Sequence, residues 1–325
     1  MTALFSTVLQ TSIYATIVGI VILITKHFLR DKLNAKWQYL IWSVLILKLL
    51  VPFGPESAVS LFNTVPEIPK TVSFSKAYEQ VQLDITEKQL KASTITPELI
   101  AKSKSLSFAK TVEVAIPYIW GIGVILMLLW LFYTYYSMNQ KLAKGSIAAN
   151  ERILTIFQNC KVKIGVSKDI EILIQDIVGS PSLFGIIHPK ILLVLHVENF
   201  TDKEIEYILL HELAHYQRKD VLVNYLLLTM QLVHWFNPLM WYCFKCIRQD
   251  MEVATDEKVL LTLEKKEHVD YGKVLLMVLE NISVTRLAPK LIGMVDDKKN
   301  MKRRIKMIKM SEFFKSKGRV VLVVG

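Results

Sequence analysis

Cysteine is scarce in this sequence, with three residues among 325. Cys160, Cys243 and Cys246 are too few for the disulfide framework of a small secreted domain. Charged side chains are also scarce, because Asp, Glu, Lys and Arg make up 21% of the chain and hydrophobic residues 52%. That balance excludes a disordered, fibrous or coiled-coil chain, and it argues against an ordinary soluble enzyme.

Acidic residues are fewer than basic ones, 29 against 40, which gives a formal net charge of +11. Such an excess is typical of nucleic-acid-binding proteins, of proteins on anionic membranes and of the cytoplasmic parts of membrane proteins. The basic residues collect beside apolar runs, and no helix-turn-helix pattern is present. We therefore expect a multi-pass membrane protein, with the lipid bilayer as a partner and no direct nucleic-acid binding.

Three apolar stretches predict membrane-spanning helices. Ala3–Thr25 has no charged side chain, and a helix of this length can cross a hydrocarbon core about 30 Å thick. Trp37–Phe53 is interrupted only by Lys48, near its end. The stretch between Glu113 and Lys141 has no charge and carries Trp and Tyr toward its ends, where interfacial anchors lie.

The loop after the first predicted span indicates the orientation. It carries Lys26, Arg30, Lys32 and Lys36 against one acid, Asp31. Lys and Arg collect in short cytoplasmic loops, so this loop is predicted to be cytoplasmic and the N-terminus outside.

The predicted domains follow from this orientation. They are two transmembrane helices with a short cytoplasmic loop (1–53), an extracellular loop (54–112), a third transmembrane helix (113–139) and a cytoplasmic domain (140–319). Residues 320–325 are apolar and follow a basic stretch, which is interpreted as the start of a fourth transmembrane helix.

The pattern His211-Glu212-Leu213-Ala214-His215 is the most informative in the sequence. Two histidines four residues apart lie on one face of a helix and can hold one Zn²⁺, while Glu212 is placed to take a proton from water that the metal activates. A helix is indicated independently, because Thr201 and Glu204 have capping-box spacing ahead of an apolar pattern of helical period. These residues predict a zinc hydrolase with Glu212 as its general base.

A zinc hydrolase has a third protein ligand and leaves one position for water. Glu252 is the candidate, and it shares a helix face with Asp256, which is then placed to hold the imidazole N–H of a ligand histidine. The alternative for both is a solvated acidic helix face.

An apolar run, residues 221–247, separates the two motifs. If it crossed the membrane once, His215 and Glu252 would lie on opposite sides and could not share an ion. Asn237-Pro238 interrupts the run, which predicts an apolar hairpin that returns to the cytoplasmic side.

Four segments together resemble the BlaR/MecR-type antirepressor metallopeptidases. They are His211–His215, Trp235-Phe236-Asn237-Pro238, Arg248–Asp256 and Ser182–Leu193. The resemblance spans nearly the whole chain and implies a multi-span α-helical protein of the bacterial cell membrane, with a cytoplasmic α+β gluzincin-type zinc metalloprotease domain. It implies His211, His215 and Glu252 as zinc ligands and Glu212 as general base.

Such proteins relay an external signal to a cytoplasmic protease that removes a transcriptional repressor, so the resemblance implies a repressor as the protein substrate. In antibiotic-sensing members a penicillin-binding sensor domain follows the fourth span, which links the family to beta-lactam sensing and resistance. That domain is not expected within this sequence, because Ser73–Lys76 and Ser107–Lys110 match S-x-x-K without the S-D-N and K-T-G companions.

Two finer expectations accompany the resemblance. Arg303-Arg304 is the predicted self-cleavage site, with binding to anionic lipid headgroups as the alternative. Ile186–Leu195 is predicted to be an edge strand that pairs with an extended substrate, with a core strand as the alternative.

Two other functions remain open, and so does a homodimer. A housekeeping membrane peptidase of the Ste24/HtpX group shares HExxH and a later E-x-x-x-D. The motif Trp235-Phe236-Asn237-Pro238 argues against this group. A catalytically silent transmembrane receptor would have no reason to keep Glu212.

Overall fold

The computed structural model describes residues 2–29, 34–51, 74–90, 97–176, 178–284 and 298–314. Within these ranges the chain is mostly helical. The helices are α1 (Thr2–Leu29), α2 (Ala35–Leu40), α3 (Trp42–Leu50), α4 (Phe74–Leu90), α5 (Pro97–Gly145), α6 (Glu151–Ile164), α7 (Asp202–Arg218), α8 (Asp220–Val233), α9 (Pro238–Thr262), α10 (His268–Val284) and α11 (Lys298–Phe314). The predicted start of a fourth transmembrane helix, residues 320–325, lies outside the described residues.

Two of these helices, α1 and α5, are long and apolar enough to cross a membrane by length and composition. The helix α1 covers the first predicted span. The 49-residue helix α5 covers the third span and extends past both of its predicted ends. Ile119, Leu126 and Phe132 on α5 are 58%, 61% and 69% exposed, an apolar surface that a hydrocarbon environment stabilises.

The second predicted span and the predicted extracellular loop each contain residues of two helices. Residues of the span form α2 and α3, which are separated at Ile41 and are each shorter than a membrane-spanning helix. Of the predicted loop, the described residues are helical, in α4 and at the start of α5.

Four strands form one sheet in the order β1-β2-β4-β3. They are β1 (Ile147–Ala148), β2 (Glu171–Gln175), β3 (Ser182–Phe184) and β4 (Lys190–Val194). The strands β2 and β4 are parallel, while β1 and β3 pair antiparallel with them at the two edges.

The prediction of an edge strand over Ile186–Leu195 is wrong. The strand within this segment is β4. It lies between β2 and β3, so both of its backbone edges are already paired. Ile191, Leu192 and Leu193 are at most 1% exposed, and such a continuous buried run is typical of a central strand. Pro189 precedes the strand and removes no hydrogen bond from the sheet.

The described chain divides into two compact units. The first consists of Met1–Leu23, Val44–Leu131 and Met230–Met240, and the second of Ile24–Ser43, Phe132–Thr229 and Trp241–Gly325. In the second unit, apolar side chains of α6, the sheet, α7 and α10 form the core, with Phe157, Ile191, Leu209 and Tyr271 almost fully buried.

In the first unit, the turn between α8 and α9 is bound to α1. Asn237 Nδ2 donates to Ser12 Oγ at 2.8 Å and to Thr16 Oγ1 at 2.9 Å. Asn237 Oδ1 accepts the backbone N–H groups of Leu239 and Met240 at 3.0 and 3.3 Å. One half-buried amide side chain therefore caps α9 and joins it to α1.

The same turn packs against α5. Trp120 Nε1 donates to the Val233 carbonyl at 2.9 Å. A Cβ on Gly123 would lie 2.8 Å from the Trp235 ring, so the close approach of the indole requires glycine at this position.

In the second unit, one buried carboxylate joins four helices. Asp250 on α9 is 1% exposed. It accepts from Lys26 Nζ of α1, from Trp42 Nε1 of α3 at 2.5 Å and from Arg303 Nη1 of α11 at 2.6 Å. Three donors thus satisfy a carboxylate that would otherwise be costly to bury.

Candidate metal centre

The helix α7 carries the His-Glu-x-x-His pattern, and its first residues explain where it begins. Thr201 N donates to Glu204 Oε2 at 2.7 Å, and Glu204 N donates to Thr201 Oγ1 at 3.3 Å. These bonds satisfy two backbone donors that a helix start leaves open. Leu209 and Leu213 on its inner face are 0% exposed, so packing fixes the helix on the core.

The side chains of His211, His215 and Glu252 converge. One ligand atom from each lies within 4.8 Å of the others. The two Nε2 atoms are 3.1 Å apart, and the Glu252 oxygens lie 3.5 Å from His211 Nε2 and 3.6 Å from His215 Nε2. The Glu252 side chain is 32% exposed, so the group opens to solvent on the α9 side.

A tight turn after α7 orients His215. The residue Lys219 ends the helix in the left-handed region, with φ of 59°, and α8 begins at Asp220. Asp220 Oδ2 lies 2.8 Å from His215 Nδ1 and also accepts from Thr255 Oγ1 at 3.0 Å and Arg218 Nε at 3.1 Å. An ionised carboxylate only accepts, so Nδ1 carries the hydrogen and the lone pair of Nε2 is available for a metal.

A tyrosine orients His211. Tyr271 Oη of α10 lies 2.8 Å from His211 Nδ1, and its hydroxyl donates to Asp256 Oδ1 at 2.7 Å. Because the hydroxyl hydrogen is used on the carboxylate, the oxygen accepts from His211 Nδ1–H. This again leaves the Nε2 lone pair of His211 available.

Asp256 and Glu252 share an arginine. Arg304 of α11 is 5% exposed, and its Nε and Nη2 donate to the two oxygens of Asp256 at 2.6 and 2.8 Å. Its Nη1 lies 3.2 Å from Glu252 Oε2. A planar guanidinium that meets a carboxylate with two nitrogens is a strong and directional contact.

The electrostatics of the group favour a cation. Burial acts against a charged His211, but contacts with Asp256 and Glu252 outweigh it and raise the pKa of His211 to about 9, so a metal that binds Nε2 takes the place of a proton there. Burial likewise opposes the ionisation of Glu252, yet His215 and Arg304 lower its pKa to about 2. Burial raises the pKa of the Glu212 carboxyl.

The donor set fits a divalent metal. With both imidazoles neutral, as a metal at Nε2 requires, and all four carboxylates ionised, the carboxylates of Glu212, Glu252, Asp256 and Asp220 outnumber the guanidinium groups of Arg304 and Arg218 by two. Two imidazole nitrogens and one carboxylate are also the ligand types that hydrolytic zinc sites use.

The predicted residues are thus placed as follows. His211, His215 and Glu252 are brought together, and Glu212, 5% exposed, follows the first of them on α7. Asp256 Oδ1 is 3.4 Å from His211 Nδ1, with the Tyr271 oxygen closer. Self-cleavage at Arg303-Arg304 stays a prediction. The structure places both residues inside α11, with ion pairs to Asp250 and Asp256 of α9.

Sequence reasoning missed Tyr271 and Asp220 and did not assign Arg304 to the centre. Asp220 was within reach, because an acid that directly follows a helix carrying two histidines is close to the second of them. Nothing in the sequence around Tyr271 or Arg304 indicated a contact, because both lie on helices far along the chain.

Comparison with known proteins gives the family. The model of the family described as BlaR1 peptidase M56 matches residues 6–308. The regulatory protein BlaR1 of Bacillus licheniformis is 31% identical over 265 residues, which are 79% of this chain and 43% of that protein. The methicillin resistance mecR1 protein of Staphylococcus aureus is 26% identical over 312 residues, 94% of this chain and 52% of that protein.

The chain spans about half the length of these relatives. The match nonetheless includes most of α1, all of α5 and every residue of the His-His-Glu group. The chain belongs to the BlaR1 peptidase M56 family, and it is a BlaR/MecR-type protein.

Proposed function

We propose that this chain is the zinc metalloendopeptidase part of a bacterial membrane receptor, and that it cleaves a cytoplasmic transcriptional repressor. The convergence of His211, His215 and Glu252, with Glu212 beside the first histidine, carries the proposal. The names of the relatives, a regulatory protein and a methicillin resistance protein, support a link to beta-lactam sensing and resistance. A multi-pass topology with a cytoplasmic peptidase and an outside N-terminus belongs to the same proposal.

The protein residues divide the work between binding and proton transfer. His211 and His215 would hold Zn²⁺ through Nε2 and Glu252 through a carboxylate oxygen, while Tyr271 and Asp220 keep the imidazole rings in place. When bound, Zn²⁺ supplies a Lewis acid that polarises a peptide carbonyl and makes water more acidic.

Glu212 is the proposed proton carrier. Its carboxylate accepts a proton as water adds to the carbonyl carbon, and it gives that proton to the amine as the C–N bond breaks. The products are one free carboxyl group and one free amine, with water consumed. Burial raises the pKa of Glu212, which makes its carboxylate a better base near neutral pH.

The test compares the zinc-loaded chain in lipid vesicles with the variant Glu212→Gln. The probe is a mixture of proteome-derived peptides, analysed for new termini by mass spectrometry. Removal of a general base typically costs about 10² to 10⁴ in rate, so we expect a loss of at least about 100-fold at unchanged zinc stoichiometry. The same mass spectra show whether the chain itself is cut at Arg303-Arg304.

The control variant is Glu151→Gln, which changes an exposed carboxylate on α6 in the same way. It should cleave like the wild type. Cleavage that persists in Glu212→Gln, or an inactive zinc-loaded wild type, would contradict the proposal.

A further inference from the structure

The arginine Arg304 lies on α11, on which the side chains of Lys306 and Lys309 are exposed. Lys302 is exposed, whereas Arg304 is 5% exposed. Arginine is rarely buried to this extent unless it is paired, because removing its charge from water is costly. Its burial therefore depends on the carboxylates that it meets.

Those carboxylates belong to the metal centre. Two nitrogens of Arg304 bind both oxygens of Asp256, at 2.6 and 2.8 Å, which fixes the plane of the guanidinium. The third nitrogen then points at Glu252 Oε2, at 3.2 Å. One rigid group thus sets the relative position of two carboxylates that lie four residues apart on α9.

Each carboxylate is in turn tied to a ligand histidine. Glu252 Oε2, the oxygen on Arg304, is the one 3.5 Å from His211 Nε2, and the other oxygen faces His215 at 3.6 Å. Asp256 holds the hydroxyl of Tyr271, which contacts His211 Nδ1. Arg304 therefore acts on Glu252 directly and on His211 through Asp256 and Tyr271.

A second ion pair on α11 holds Arg304 in position. The preceding residue, Arg303, pairs with Asp250 at 2.6 Å and donates to Gln38 Oε1 at 2.7 Å. Asp250 lies two residues before Glu252 on α9. Two adjacent arginines of α11 thus bind Asp250 and Asp256, which lie six residues apart on α9, and this restrains α11 along α9.

We propose that Arg304 is a positioning residue of the metal centre, and that α11 completes the centre by fixing the carboxylates of Glu252 and Asp256. This inference rests on the proposed metal-dependent function. It assigns to Arg304 an orienting role that needs the forked guanidinium and that a lysine ammonium cannot fill.

The test replaces Zn²⁺ by Co²⁺ in the full chain and records the visible absorption of the bound metal, which reports ligand geometry. The variants are Arg304→Lys, Arg304→Gln and the control Lys302→Gln. We expect both Arg304 variants to bind Co²⁺ about 10- to 100-fold more weakly with an altered band, as is common when partners of metal ligands are removed. For peptide cleavage by the Arg304 variants, we expect kcat to fall and KM to stay close to that of the wild type.

The outcomes separate this inference from the proposed function. A wild type without a Co²⁺ band would contradict the metal-dependent function itself. If the wild type binds and Arg304→Lys has the band and affinity of Lys302→Gln, positioning by Arg304 is overturned, because charge alone would suffice. Should Arg304→Gln fail to fold, shown by circular dichroism, the folded Arg304→Lys variant decides.

Discussion

His211 reaches its carboxylate through a tyrosine, whereas His215 reaches its own directly. Asp220 contacts His215 Nδ1 at 2.8 Å, and Tyr271 stands between His211 and Asp256 with contacts of 2.8 and 2.7 Å. Both arrangements place the hydrogen on Nδ1 and leave Nε2 free. The tyrosine adds a link that can be removed without changing any charge.

The variant Tyr271→Phe tests that link. It leaves His211 Nδ1–H without its oxygen and Asp256 without one donor, and each buried unsatisfied group costs about 1–3 kcal/mol. We expect zinc affinity to fall about 10- to 100-fold, measured by competition with a chromophoric chelator. The control is Tyr135→Phe, which makes the same change at an exposed tyrosine. Equal zinc affinities for the two variants would contradict the role given to Tyr271.

At this scale the sequence indicates residues that share a helix and misses those that meet by packing. His211, Glu212 and His215 follow from helical spacing, and Glu252 with Asp256 from the same rule on α9. Tyr271 and Arg304 contact the centre only because α10 and α11 pack against α7 and α9. No local pattern encodes such contacts, and Arg304 stood out only as half of a basic pair.

Among the elements, α7 carries the most local information. Its capping box is readable from Thr201 and Glu204, and the structure has both bonds of the box. The variant Thr201→Ala removes the side-chain acceptor for Glu204 N and should lower the free energy of unfolding by about 1 kcal/mol. Thermal unfolding with a chelator present measures this without stabilisation by bound metal.

The serine of Thr201→Ser keeps the hydroxyl and is the matched control. We expect it to unfold close to the wild type. Thr201 lies ten residues before His211, so metal affinity should be the same in all three proteins. A fall in affinity with Thr201→Ala would show that the cap does more than begin the helix.

The elements α11 and β4 show where local patterns mislead. A run of Ile and Leu after Pro189 is compatible with an edge or a central strand, and only its pairing on both sides decides. Arg303-Arg304 looks like an accessible basic pair, yet it lies inside a helix. Peptidases of this kind take substrate in extended form, so self-cleavage at this bond requires α11 to unwind first.

For the molecule as a whole, Asp250 is the residue that joins separate parts of the second unit. It takes donors from Lys26, Trp42 and Arg303. In Asp250→Ala two cations and an indole N–H remain buried without this acceptor. Removal of one partner from a buried ion pair costs about 3–5 kcal/mol, and we expect a loss of that size in detergent-solubilised protein.

The same substitution at an exposed ion pair is the control. Asp270 pairs with Lys273, and their side chains are 57% and 70% exposed. Exposed pairs contribute about 1 kcal/mol or less, so Asp270→Ala should unfold close to the wild type. Similar unfolding midpoints for Asp250→Ala and Asp270→Ala would contradict the joining role of Asp250.

The sequence predicts that the cytoplasmic domain begins at residue 140. The second compact unit of the structure, however, also contains residues that precede this boundary. The second unit also takes in Ile24–Ser43, which supplies Lys26 and Trp42 to Asp250. A hydropathy pattern concerns one stretch of sequence at a time, so it assigns the residues of Ile24–Ser43 to two predicted spans and the loop between them. Their contacts with α9, more than 200 residues away, depend on the complete fold.

The position of Arg304 late in the chain has a consequence for biosynthesis. A growing chain contains the His-Glu-x-x-His helix well before it contains α11, and the 92 residues from Glu212 to Arg304 take on the order of ten seconds to translate. If Arg304 positions the carboxylates of the centre, a nascent chain that still lacks α11 binds the metal more weakly and hydrolyses peptides more slowly during that interval. The late synthesis of α11 would then limit proteolysis of the ribosome-bound chain and of the machinery that inserts it into the membrane.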